Sequence, residues 1–65
     1  MITAIEAARI KAMKALVLAG HASHVTAEEK QWLLDTLARE HLPIRADVRE
    51  RAANSGFDVS AVEVL

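Results

Sequence analysis

The side chains with the most evident chemistry are three histidines. His21 and His24 form an H-x-x-H pair, and His41 follows further along the chain. Imidazole nitrogens ligate zinc, and Glu28 or Glu29 could add an oxygen. The spacing speaks against that chemistry. Helical zinc pairs sit at i and i+4 on a regular helix, often with a glutamate between them. His41 falls at the far end of the helix that follows the pair, roughly 20 Å away at the helical rise. The three therefore read as two solvated loop residues and one cation, when protonated, at a helix C-terminus. No metal or other cofactor is expected. A catalytic nucleophile is missing as well. There is no cysteine, no G-x-S-x-G and no Gly-rich phosphate loop, since the only glycines are Gly20 and Gly56. Glu28, Glu29, Asp35 and Glu40 are scattered along a solvated face, and so short a chain has little room for a pocket that excludes water. The expectation is a protein that binds and is not an enzyme.

Trp32, the only tryptophan, carries the remaining recognition chemistry. In helical register it shares its side with Glu28, Asp35, Thr36 and Arg39, a polar face. A tryptophan there lies under another part of the chain or anchors a partner. Trp and Arg are the residue types most often found at binding hot spots.

These residues hang on a helix predicted from Thr26 to about His41. Thr26-Ala27-Glu28-Glu29 is a capping box, with Glu28 in the first turn where the dipole favours an anion. Leu33, Leu34, Leu37, Ala38 and His41 recur at helical spacing and make one face. Pro43 ends the helix, because the residue before a proline avoids helical angles. Upstream, Thr3-Ala4-Ile5-Glu6 is a second capping box, which predicts a helix from about Ala4 to Ala19 closed by Gly20. One stripe of that helix, Ile5, Ala8, Ala12, Leu16 and Ala19, suits close helix packing. A second row, Ile10, Met13 and Val17, lies beyond Arg9 and is surplus to a hairpin. It could cover a third helix or a second subunit. The short connection from Gly20 to Val25 favours an antiparallel hairpin, with Val25 as a staple residue. A third helix is predicted over about Arg45 to Asn54, with Ile44, Val48 and Ala52 inward. In the tail, Asp58 or Ser60 can cap a fourth helix, while Phe57, Val59 and Ala61 alternate like a strand. A lone strand would have no partner in a helical chain, so a helix is expected there.

The totals bound these readings. Sixty-five residues make one domain, and the chain is 52% hydrophobic but only 3% aromatic. A core of Ala, Val, Ile and Leu suits helix packing. The area-against-entropy balance of so small a domain is close to zero, so small chains commonly add disulfides, a metal or a partner subunit. Without cysteine, a homodimer is the simplest of these. The net charge of −1 gives no support for nucleic-acid or membrane binding. No apolar run approaches the roughly 18 residues of a bilayer helix, and the N-terminal run, broken by Glu6, Arg9, Lys11 and Lys14, lacks a signal-peptide layout. A cytoplasmic location is expected.

Two motif comparisons remain. Val48 to Leu65 has offsets like those of a helix-turn-helix, with Ala52, Gly56, Phe57, Val62 and Leu65 at the small, turn and core positions. Its second helix would carry Asp58 and Glu63 and no basic residue, which repels phosphate. The stretch Ala12 to Leu37, AMKALVLAGHASHVTAEEKQWLLDTL, resembles the first helical hairpin of the tellurite-resistance TerB-like proteins. The resemblance lies in an apolar small-residue helix, a short loop and a T-x-E-E helix start. The Asp-Gly pair implicated in metal binding in that family is replaced here by Ala22 and Ser23, so the resemblance implies no metal site.

The reading is an all-α domain over residues 1–65, a three-helix bundle on an antiparallel hairpin, or four helices if the tail is helical. Its expected function is to cover a surface on a protein partner, as an adaptor, inhibitor or regulatory subunit and as a homodimer. Ile10, Met13 and Val17 are expected to be buried against the partner, Trp32 to anchor it, and Arg9, Lys14, Asp35 and Arg39 to set orientation. A DNA-binding regulator using residues 48–65 is the alternative, and a TerB-like metal-binding domain the third.

Overall fold

The computed structural model describes residues 1–65 and contains three α-helices, α1 (Ala4–Leu18), α2 (Ala27–Arg39) and α3 (Ala46–Asn54), with a short 3-10 turn at Ala22–His24. The chain is a small all-α bundle, and none of its helices is long and apolar enough to cross a membrane. Both capping boxes are formed. The Thr3 hydroxyl accepts from the Glu6 N–H and the Glu6 carboxylate from the Thr3 N–H. Thr26 and Glu29 repeat the arrangement. Each N–H bond to a carboxylate favours its ionised form, so Glu6 and Glu29 titrate below the ordinary 4.5, the backbone N–H of Thr3 or Thr26 being the largest cause. A depressed carboxylate contributes stability that is complete above its unfolded-state pKa and is lost as pH falls through the folded one. The melting temperature should therefore fall on acidification below about pH 4.5. Glu29→Gln, which keeps an acceptor without a titration, should shrink that fall in a pH series of thermal melts.

All three helices stop in the same way. The N–H of the second residue past each cap reaches back to the helix as His21 to Leu16 O (2.8 Å), Leu42 to Leu37 O (2.9 Å) and Phe57 to Ala52 O (2.9 Å). These are Schellman closures, which need a left-handed residue just before the returning N–H. Gly20 and Gly56 supply it for α1 and α3, at φ 85° and 86°. For α2 the residue is His41, at φ 52°. A side chain in that region is disfavoured by roughly 1 kcal/mol or more. Its one compensation is an exposed contact between Nδ1 and Glu63 Oε1 at 3.2 Å, which is worth little. His41→Gly should therefore raise stability by about 1 kcal/mol in chemical denaturation, whereas Gly56→Ala should lower it by a similar amount.

α1 and α2 run antiparallel, with the Met1 ammonium on Glu40 (2.6 Å) at one end and the short connection at the other. The most extensive close backbone approach, however, is between α1 and α3. α3 buries Val48 and the small Ala52, and α2 buries the larger Leu33 and Leu37 with Thr36. One core joins all the elements: Ile10, Met13 and Val17 of α1, Leu33 and Leu37 of α2, Ile44, Val48 and Ala52 around α3, and Phe57, Val59 and Val62 of the tail. Thr36, only 1% exposed, is the buried polar residue among them.

The tail corrects the expectation of a helix. Residues 57–65 contain turns and a single parallel bridge, Val64 to Ile44. Ile44 N–H donates to Glu63 O and Leu65 N–H donates to Ile44 O, each at 2.9 Å. The tail does have a pairing partner. Pro43 forces the linker out of helical angles, and the extended residue after it, Ile44, offers an N–H and a C=O to the tail. Asp58 does not start a helix. Its Oδ1 accepts from the N–H and hydroxyl of Ser60 and closes a local turn. There is thus no fourth helix, and no second helix for a helix-turn-helix over residues 48–65.

Candidate partner-binding surface

The two apolar rows of α1 occupy the reverse of their expected places. Ile10, Met13 and Val17 are 4%, 3% and 2% exposed, inside the chain's own core. They are not a surplus surface, because α3 and the tail cover them. The residues turned to solvent are Ala4, Ile5, Ala8, Ala12, Ala15 and Ala19, with Ile5 82% exposed. Leu16 is half-buried at the edge of this stripe. The outward face of α1 is therefore apolar from end to end, where a surface helix ordinarily places its charges. Arg9 borders it on one side and Lys11 on the other.

Trp32 is half-buried on the seam between α1 and α2. The Arg9 guanidinium lies over its ring, 4.4 Å from the centroid, a cation–π contact worth about 0.5–1 kcal/mol at an exposed site. Arg9 and Trp32, both sequence candidates, are thus brought together, but as a pair that closes the seam. The face assigned to Trp32 also needs correcting, since Thr36 turns into the core. Asp35 stays outside and accepts from Gln31 Nε2 at 2.8 Å. Arg39 is exposed near the Glu6 and Glu40 carboxyls, which are held below their ordinary range first by the Thr3 backbone N–H and by the Met1 ammonium, respectively, and to a smaller degree by Arg39.

Lys14 belongs to a feature absent from the sequence reading. A groove of about 230 Å³ runs between the start of α1 and the end of α2. Ile10 and Leu37 form its floor, Ile2, Ala7, Leu42 and Pro43 its walls, and Lys11 and Lys14 its only charged lining. Two helix-end motifs build it. Ile2 and Ala7 stand at the N′ and N4 positions of α1, the pair that makes a hydrophobic staple. Leu37 and Leu42 are the C3 and C″ residues of the α2 Schellman closure, which commonly touch. The signal was present in the apolar residue just outside each cap.

The histidines give no centre. His21 and His24 meet edge to face with ring centroids 5.4 Å apart. No group of three His, Cys, Asp or Glu side chains gathers anywhere in the chain. No family model, curated protein or solved structure matches the chain.

Proposed function

We propose that this chain is a non-enzymatic protein-interaction module that lays the outward face of α1 against a helix of a protein partner. The supporting observation is the uninterrupted apolar face Ala4, Ile5, Ala8, Ala12, Ala15 and Ala19. Alanines let two helices approach to the lower end of the 8–10 Å range of interaxial distances, so a helix is the element that fits. The borders select the partner. Arg9 and Lys11 stand on opposite edges, so a second copy of α1 would bring like charges together whichever way it ran. A partner helix flanked by carboxylates meets both edges favourably, which sets register and encounter rate more than affinity. The homodimer expectation drew its surface from Ile10, Met13 and Val17 and its motive from the small, cysteine-free chain, and with those residues inside the core a different protein is the better reading.

Cross-linking tests this. A photo-reactive residue replacing Ala8 should give a discrete protein adduct in cells that make the chain. The same residue replacing Ala53, exposed on α3, should not. Ala12→Arg should abolish the adduct with the stability changed by no more than a surface substitution changes it, about ±0.5 kcal/mol. Equal adducts from both positions would sink the reading. An adduct with the mass of two copies would move it to self-association.

A further inference from the structure

We infer that the groove between the start of α1 and the end of α2 is a seat for one large aliphatic side chain flanked by carboxylates. The inference rests on the preceding reading for the nature of the partner and names the anchor that partner uses. Size decides the occupant first. Pockets for small molecules span about 300–1,000 Å³ and enclose most of the ligand. At about 230 Å³ and open to solvent, this groove falls below that range. It exceeds the roughly 150 Å³ of an apolar cavity known to take benzene, so a Leu, Ile or Met side chain fits it. Burying such a side chain against Ile10, Leu37 and Leu42 is the arrangement of an interface hot spot.

Charge decides what stands beside the anchor. Lys11 and Lys14 have no ion-pair or hydrogen-bond partner in the chain, unlike Arg45, which pairs with Asp47. The carboxylates at the two helix ends that form the groove are already engaged, Glu6 in its capping box and Glu40 by the Met1 ammonium. The groove therefore presents an apolar floor with two unneutralised ammonium groups, and carboxylates adjoining the anchor complete it. Nucleic acid would bring phosphates to the lysines but nothing for the floor. The groove also adjoins the outward face of α1 through Ala7 and Lys11, so one acidic helix can span both.

The probe is an acetylated, amidated peptide, Asp-Glu-Leu-Glu-Asp, titrated into the full chain and followed by amide shifts in two-dimensional NMR. Saturable shifts confined to Ile2, Ala7, Lys11 and Leu42 are the expected result. The matching Asp-Glu-Ala-Glu-Asp and Lys-Lys-Leu-Lys-Lys peptides should not produce them. Lys11→Glu with Lys14→Gln should weaken binding of the leucine peptide by about tenfold, with circular dichroism reporting that helicity is kept. Should that pair of changes unfold the chain, Lys11→Glu alone, at an exposed position, carries the same test. Equal binding by the alanine or lysine peptide, or no localised shift with the leucine peptide, overturns the assignment. If the peptide fails while Ala8 still cross-links, the groove is lost and the α1 reading stands. If the peptide binds and Ala8 yields no adduct, the groove stands and the α1 reading falls.

Discussion

Met13→Ala should lower the stability of the chain by about 2–5 kcal/mol, the range for truncating a buried large side chain where the surroundings close only partly over the cavity. Met13 is 3% exposed at the centre of the inner row of α1. A domain of this length has only about 3–10 kcal/mol in total, so the variant should lose a large fraction of its stability. Even 2 kcal/mol corresponds to roughly 8–16 °C in melting temperature for so small a domain. Ile5→Ala is the matched control. It removes a comparable aliphatic group from the same helix, but from a side chain that is 82% exposed, and should stay within about 0.5 kcal/mol of the parent. The two variants separate core from surface in one pair of thermal melts. If Met13→Ala melts like the parent and Ile5→Ala does not, the two rows have been assigned the wrong way round.

That pair also marks what the sequence could and could not convey. The helices were legible because their ends are written in short-range chemistry: T-x-x-E at two starts, glycine or proline near the stops. Which face of α1 turns inward was not. The helix is apolar nearly all round, so its periodicity does not choose between Ile10-Met13-Val17 and Ile5-Ala8-Ala12. The choice is made by volume. The larger row fills the space among Leu33, Leu37, Val48 and Phe57, and the alanines would leave it empty. Thr36 was misplaced for a related reason. Its hydroxyl groups it with the polar residues, but it lies about 60° from Leu33 around the helix, and that places it inside. The groove was harder still, because Ile2, Ala7, Leu37 and Leu42 come from two helix ends far apart in the chain. Only the capping motifs hint that such residues touch.

The tail carries the second large effect. Phe57→Ala should cost about 3–5 kcal/mol. Its ring is 6% exposed in the common core, its N–H closes α3 onto Ala52, and the Lys30 ammonium stands 5.5 Å from the ring centroid. Removing the ring therefore opens a cavity and loosens the start of the segment that runs on to Val59 and Val62. Because those residues also cover α1 and α3, the loss should show throughout the chain, as lower helical ellipticity and a lower melting temperature, and not as local fraying. A helix-turn-helix over residues 48–65 would bury Phe57 and Val62 as well, so burial alone does not separate the two arrangements. The backbone does: the turn made by Asp58 and Ser60 and the bridge from Val64 to Ile44 leave residues 57–65 without the second helix of that motif. If Phe57→Ala instead kept full stability, the tail would be detached from the core, and the cover it provides for Met13 and Val17 would have to come from elsewhere.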